Sequence, residues 1–524
     1  MNSDGKHMVQ RQVFELSADF YSANLDWSGK ASDYLNNIIN PALEKCFDEM
    51  KLHDQRLVLE KLEIDLGSFT PENFEKQAGA KLIEILSKRL KEYYTKPLRS
   101  NISYTKDKNE NAEIFTSKEV QLMTDARSQL IAFKHFILSG HFPWWFSVSD
   151  LHHNTSLELL FDHFWVESLT ANEAIGLKKI LEDSSAARIR LVNHFTAEWL
   201  VVFLEKIDLK GDEAVKQYRL LVSAFEKHPT RIAQFHEEFW KQWINNVFNH
   251  RDFIHILLLL KNICEDKTEA SQVAKLFYQI CHENKIHPPF DVYVESLEIY
   301  FDRLVNAEYS LNEEENFEEL LMQMEPGKKI SDGISIDDVI NEILNKTPVE
   351  EKKQQSEEEF LFADAAGIVI LHPFLVELFS RLGLWDTDKW KTEQSYFKAL
   401  QILSWLAYGE NDLPEHRMLI LKILAGIDIE IPVPAVTPIS DEEKLACTEL
   451  LQAVIDHWTA LRSTSPDGLR EAFLVRGGKL VKTPDGYHLI VEQLAQDVLL
   501  SHLPWGFNMI KLPWMKCILN TTWL

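Results

Sequence analysis

The sequence has few cysteines and no long apolar run. Its five cysteines are scattered and form no CxxC pair, which argues against a disulfide framework. Apolar runs such as ILLLL at 256–260 are far shorter than the roughly 20 residues that a membrane-spanning helix needs. The first residues, MNSDGKHMVQRQVFEL, lack the apolar core of a signal peptide. These absences predict a cytoplasmic protein without a membrane partner.

Positive charge is also scarce. The 524 residues include 81 acidic and 55 basic side chains, which gives a formal net charge of −26. Nucleic acids and anionic membranes both attract clustered positive charge, so neither is expected as a partner. The length exceeds what one hydrophobic core normally organises, and several domains are therefore expected.

Common catalytic and cofactor motifs are missing. RGGK at 476–479 and PGKK at 326–329 lack the GxxxxGKS/T frame of a phosphate-binding loop, and neither GxSxG nor HExxH occurs. Four residues are the best metal-ligand candidates, but their spacing matches no zinc motif: Cys264, Cys281, His282 and His287. We therefore predict no cofactor, no metal site and no enzymatic activity.

Residues 1–97 are predicted to form a helix, strand, helix block. Residues 10–50 have the pattern of two helices with a break near Asn40-Pro41. Leu62, Ile64 and Leu66 alternate with acidic residues, which predicts a half-buried strand. Thr70 and Pro71 suit the start of a following helix. One face of that helix carries four apolar residues: Leu82, Ile85, Leu86 and Leu90.

The next two regions differ in charge and pattern. Residues 117–304 are predicted to form a stack of helical hairpins, interrupted by polar breaks such as DLKGDE, KHPT and NHRD. Residues 305–359 are predicted to be an acidic linker, because 307–359 contain 16 acidic and 5 basic residues. A solvated spacer is favoured there over an acidic binding motif, although IDDVINEIL at 336–344 is a short amphipathic piece.

Residues 360–524 are predicted to form an α+β domain. Three helices are expected to end at Gly383, Gly409 and Gly426, since glycine is favoured just beyond a helix C-terminus. Ser440 and Glu443 have the spacing of a capping box, which starts a helix running to about Arg462. Alternating residues around Pro484-Asp485-Gly486 predict a β-hairpin. The predicted fold class is mainly α and multi-domain, with small α+β blocks at both ends.

The last residues contain two LPW units, an unusual content of proline and tryptophan for a chain end. Such a segment is rigid and apolar, which favours the closing of the domain's own core and also suits a protein–protein contact. Both interpretations stay open. Six residues are candidates for partner binding: Trp505, Ile510, Leu512, Pro513, Trp514 and Met515. Four residues are a structural signature: His372, Pro373, Phe374 and Pro504.

Several stretches carry a family resemblance. HMVQRQVFEL and LEKLEIDLGSF lie near the start, and AGIVILHPFL, LAYGENDLPEHRMLILKILAGI, LLQAVIDHWTALRSTSPDGLREAFLVRGGKL and LPWGFNMIKLPWM lie near the end. In these stretches the sequence resembles the contractile injection system tape measure proteins of phage-tail-like particles. The resemblance implies a non-enzymatic assembly component that helps to set tube and sheath length. It also implies tube, baseplate or sheath subunits as partners.

The residue pattern argues against an extended, ruler-like molecule. A helix rises about 1.5 Å per residue, so a ruler should show long uninterrupted heptads, whereas the longest predicted helix, Asp441 to Arg462, would span roughly 33 Å. We therefore expect a compact scaffold or adaptor at the tube or baseplate. The alternative is a stand-alone cytoplasmic helical adaptor that binds other proteins and has no link to a tube.

Overall fold

The computed structural model contains two compact units. One consists of Met1–Ile131 with Trp144–Ser147, and the other of Ala132–Pro143 with Val148–Leu524. The structure describes these residues: 9, 12–15, 27–49, 55–59, 62–95, 120–146, 157–158, 160–161, 169–207, 209, 212–223, 229–248, 360–410, 413–434, 438–461 and 463–523. Within them the fold is mainly helical with a small C-terminal sheet, which confirms the mainly α part of the predicted class, and the multi-domain layout stays a prediction. The predicted block boundaries stay predictions.

The first unit is built from helices and a two-stranded sheet. Its elements in chain order are α1 (Trp27–Tyr34), α2 (Asn40–Asp48), β1 (Gln55–Leu59), α3 (Pro71–Thr95) and β2 (Val120–Thr124), followed by the start of α4 (Asp125–Ser139). Strands β1 and β2 pair antiparallel, with Leu57 opposite Leu122. The core between α2 and α3 includes Ala42, Ala78 and Leu82.

The break predicted near Asn40-Pro41 is wrong. Residues Leu35–Ile39 form a π-helical turn that joins α1 to α2 without leaving the helical path. Pro41 has no N–H to donate to the carbonyl group of Asn37, which accounts for a widened turn just before it. A proline in the first turn of α2 is therefore tolerated.

The strand predicted at Leu62, Ile64 and Leu66 is also wrong. Residues 62–70 form neither helix nor strand, and the strand of this region is β1. The alternation still describes exposure, because the three apolar side chains are half-buried and Glu63 and Asp65 are exposed. A period of two places side chains on alternate sides, whereas a strand also requires a partner for its backbone hydrogen bonds.

Helix α3 confirms the prediction from Thr70 and Pro71. It has 25 residues, which corresponds to roughly 38 Å. Leu82, Leu86 and Leu90 are at most 3% exposed and Ile85 is half-buried, so the predicted apolar face is the packed one.

The second unit opens with a helical part. Besides the end of α4 it contains α5 (Ala171–Asp183), α6 (Ser185–His194), α7 (Ala197–Lys206), α8 (Asp212–Val222) and α9 (Pro229–Phe248). The breaks between α7 and α8 and before α9 fall at DLKGDE and KHPT, as predicted. The predicted break NHRD and the predicted linker at 305–359 lie outside the described residues. In α9, Phe235, Phe239 and Trp240 are fully buried.

The C-terminal part of the second unit surrounds a five-stranded sheet of order β3-β6-β7-β9-β8. The strands are β3 (Phe360–Ala363), β6 (Gly478–Thr483), β7 (Gly486–Val491), β8 (Met509–Ile510) and β9 (Ile518–Thr522), with a separate hairpin of β4 (Trp385–Asp386) and β5 (Lys389–Trp390). Strands β6 and β7 form the predicted hairpin, and β9 runs parallel to β7. At Gly486, φ is +146° and a Cβ would overlap the carbonyl oxygen of Ile518.

Helices pack against this sheet. They are α10 (His372–Arg381), α11 (Glu393–Tyr408), α12 (Leu419–Ala425), α13 (Asp441–His457) and the short α14 (Pro466–Leu469). Gly409 and Gly426 end α11 and α12 in the left-handed conformation, as predicted. Ser440 and Glu443 form the predicted capping box of α13, which ends at His457 rather than near Arg462. No helix in the described ranges has the length and apolar content needed to cross a membrane.

Candidate functional site

The C-terminal ribbon, Leu503–Trp523, contributes two strands to the sheet. Strand β9 lies between β7 and β8, with Leu489 beside Thr521 and Ile510 opposite Leu519. Four of the predicted partner-binding residues are at most 8% exposed in this chain: Ile510, Leu512, Trp514 and Met515. Pro513 and Pro504 are exposed. The ribbon is thus part of the domain core for most of its length.

Trp514 lies in a cluster of aromatic rings. Its ring centroid is 4.9 Å from that of Trp385 and 5.0 Å from that of Trp390, both in the β4–β5 hairpin. Its indole N–H donates to the carbonyl group of Leu424, 2.7 Å away. At Gly426 a Cβ would come within 2.7 Å of the Trp514 carbonyl oxygen, so the end of α12 requires glycine beside the ribbon.

Trp505 contacts the segment that carries the predicted signature residues His372, Pro373 and Phe374. Its indole N–H donates to the carbonyl group of Ile370 at 2.9 Å, and its ring stands edge-on to Phe374 at 5.1 Å. His372 Nδ1 donates to the carbonyl group of Val369, and burial lowers the pKa of this histidine. Pro373 lies in the first turn of α10. These contacts fit the interpretation in which the ribbon closes its own domain, and the partner-binding role stays a prediction.

A buried ion pair fixes the end of the ribbon. Arg476 Nη2 lies 3.2 Å from Asp497 Oδ1, with both side chains at most 5% exposed. The indole N–H of Trp523 and the backbone N–H of Leu494 both donate to Asp497 Oδ2, at 3.1 and 2.7 Å. Sequence analysis did not predict this pair.

A second group of ionisable side chains, the Glu415 cluster, consists of the buried Arg190, Glu415 and Lys422 and the half-buried His194. Glu415 Oε1 accepts from Arg190 Nε at 3.0 Å and from Lys422 Nζ at 2.6 Å. Its Oε2 lies 3.4 Å from His194 Nε2. The Glu415 side chain is fully buried, and Arg190 and Lys422 are at most 2% exposed.

Backbone carbonyl groups complete the Glu415 cluster. Arg190 donates to the carbonyl groups of Ile137 and Leu138 and to that of Glu430. Lys422 Nζ donates to the carbonyl groups of Ile429 and Ile431 at 2.9 and 2.7 Å. Two cations facing one carboxylate are therefore compensated by oriented dipoles.

Electrostatics in the cluster follow from burial and charge. Burial alone would raise the pKa of Glu415, but the adjacent Arg190 and Lys422 outweigh it and hold that pKa well below its usual range. Burial lowers the pKa of Lys422 to about 8, although Glu415 opposes the shift. Burial also lowers the pKa of His416 to about 3 and that of His141 to about 4. Both histidines are neutral near pH 7.

The arrangement suits a structural joint better than catalysis. Arg190, Glu415 and Lys422 already have hydrogen-bond partners within the protein. Among the residues that the structure describes, no group of three or more metal-binding side chains occurs. The sequence candidates Cys264, Cys281, His282 and His287 lie outside them. The signal that was missed is a charged residue inside an apolar run: Arg190 in ARIRLV and Lys422 in LILKILA.

Comparison with known proteins gives one match. The family model described as "Contractile injection system tape measure protein" matches residues 6–523, which is nearly the whole chain. No curated protein and no solved structure matches.

Proposed function

Because this chain belongs to the contractile injection system tape measure protein family, we propose that it acts as a compact scaffold or adaptor during assembly of a tail-like particle. The family supports a tape measure component that associates with other proteins of the particle. The compact form is our addition.

One observation supports the compact form: the described helices are short and end at defined stop signals. The longest of them, α3, has 25 residues, and α12 and α11 end at glycines in the left-handed conformation. An extended ruler would have to expose side chains that are fully buried in the folded chain, such as Trp240 and Trp458. Loss of each large aromatic contact costs about 3 to 5 kcal/mol, so extension is unfavourable without a partner.

Deletion of the gene tests the assembly role. We expect particles that are absent or that have an altered tube length in electron micrographs, and full-length protein supplied in trans should restore them. Unchanged yield and tube length would remove the proposal. A stand-alone adaptor, the alternative, would purify free of tail components and leave particles unchanged.

We also propose that partner subunits contact the exposed residues of the C-terminal ribbon around Pro513. The ribbon's buried residues are occupied by the chain's own core, so the exposed positions are the ones available to a partner. Deleting 510–524 is a poor test because it removes β9 from the middle of the sheet. Pro513→Asp should leave the thermal unfolding midpoint unchanged and reduce particle yield. Glu442→Gln, at an exposed position in α13, is the matched control. Normal yield with Pro513→Asp would contradict the contact.

A further inference from the structure

We propose that the Glu415 cluster is a latch that joins the helical part of the second unit to its C-terminal part. The latch would then keep the end of α9, at Phe248, and the start of β3, at Phe360, in fixed parts of one structure. The number of residues between 249 and 359 would not change the distance between these two parts. This inference rests on the fold and not on the proposed function.

The contacts of the latch cross a long interval of sequence. Arg190 and Glu415 are 225 residues apart in the chain, and Arg190 also donates to Glu430. Asn193 Nδ2 donates to the carbonyl group of Val433 at 2.7 Å. The rings of Phe142 and His416 lie 4.8 Å apart, which adds an apolar contact across the same junction. An ion pair, two hydrogen bonds and a ring contact therefore join α6 and Phe142 to the segment 415–433.

The two ends of residues 249–359 are connected to this junction through described elements. On one side, His236 in α9 donates through Nε2 to the carbonyl groups of Val192 and Phe195, at and beyond the end of α6. On the other side, Asp364 follows β3 and pairs with Arg417, two residues after Glu415. Helix α9 ends at Phe248 and β3 begins at Phe360. Both ends thus lead back to Arg190 and Glu415.

Close approach at the junction depends on Gly140. Its φ is +82°, and a Cβ there would overlap Glu415 Oε1 and lie 3.0 Å from Arg190 Nε. A side chain at this position is therefore strained and also displaces the ion pair. Gly140→Ala offers a way to open the latch without removing any charge.

The energetic character of the cluster suits a latch. Removing one partner of a buried ion pair leaves an uncompensated charge, and the penalty weakens an interface about a hundredfold to a thousandfold. An exposed pair such as Arg381–Glu449, with both side chains about half exposed, is worth far less. The pair is thus a matched control for charge removal.

A nicked protein tests the latch. A site-specific protease sequence inserted between residues 350 and 351 allows the full chain to be cut into two pieces. We expect the pieces of the otherwise unchanged protein to elute together in size-exclusion chromatography. With Glu415→Gln or Gly140→Ala they should separate at a concentration about a hundredfold higher, and with Glu449→Gln they should behave as the parent does.

Two outcomes would overturn the proposal. Separation of the parent pieces directly after cutting shows that the ends are not held together. Equal dissociation of the Glu415→Gln, Gly140→Ala and Glu449→Gln pieces shows that the cluster is not the joint. Circular dichroism of each variant before cutting distinguishes loss of the latch from loss of the fold. Neither result depends on particle assembly. The latch can therefore be disproved without disproving the proposed function, and the reverse also holds.

A second experiment, which alone rests on the proposed function, relates the latch to tube length. Insertion of 20 glycine and serine residues at the same position should leave tube length unchanged in electron micrographs. A tube that lengthens with the insertion would contradict the inference, because the inserted stretch would then act as a spacer.

Discussion

The second unit contains two buried ion clusters that use similar chemistry over different spans. Asp497 pairs with Arg476, which is 21 residues away, and the pair fixes Trp523 within one domain. Glu415 pairs with Arg190, which is 225 residues away, and with Lys422. The difference is that the first cluster closes a local structure, whereas the second joins distant parts of the chain. In both clusters, buried charge lies where separate segments of the chain meet.

The largest expected effect is the loss of stability when Glu415 alone is replaced. Replacing all three charged residues of the cluster should cost much less. Glu415→Met leaves Arg190 and Lys422 buried without a carboxylate, and should reduce the free energy of unfolding by about 3 to 5 kcal/mol. The triple variant Arg190→Met, Glu415→Met, Lys422→Met should lose much less, because no charge remains unpaired. Urea denaturation measures both. A triple variant as unstable as the single one would contradict this account.

Acidification should affect the surroundings of the Glu415 cluster, where the buried His416 follows Glu415 in the chain, more than the Arg476–Asp497 pair, which includes no histidine. Burial lowers the pKa of His416 from 6.5 to about 3, so between these values the unfolded chain binds a proton that the folded chain does not. Stability is therefore fully present above pH 6.5 and falls as the pH decreases, by about 3 kcal/mol between pH 6.5 and pH 4.

Denaturation at a series of pH values checks this expectation. His416→Gln should remove its share of the slope while the remaining decline, to which His141 and Glu415 also contribute, persists. Identical slopes for the variant and the parent would show that His416 titrates as it does in the unfolded chain.

Removing the charge of Asp497 should have a moderate effect. Asp497→Asn keeps the size of the side chain but leaves Arg476 without its anion, and should cost about 2 kcal/mol. Tryptophan fluorescence near Trp523 should change before global unfolding, because its indole N–H donates to Asp497. A change confined to regions outside the ribbon would contradict the local role of this pair.

The smallest effect is expected at the surface pair Arg381–Glu449. Its side chains are about half exposed, so water and salt screen the attraction, and Glu449→Gln should change stability by less than about 1 kcal/mol. A loss as large as that of Asp497→Asn would mean that burial does not account for the difference between this surface pair and the buried Arg476–Asp497 pair.

Local signals in the sequence predicted many elements correctly. Pro71 starts α3, Gly409 ends α11, and Ser440 with Glu443 starts α13, because each depends on residues within one helical turn. The predicted strand at 62–66 failed because its alternation sets exposure but does not supply a partner strand. The sequence also indicated that the ribbon makes important contacts. It did not predict which residues of the ribbon are buried in the domain itself.

The sequence alone determined the starts of α3 and α13, the ends of α11 and α12, the hairpin at Pro484-Asp485-Gly486 and the family to which the chain belongs, since these depend on neighbouring residues or on contiguous stretches of sequence. Only the tertiary structure decided that Arg190 meets Glu415 and that Trp514 is buried beside Trp385 and Trp390. Contacts between residues far apart in the chain depend on how whole elements pack, and no spacing rule encodes them.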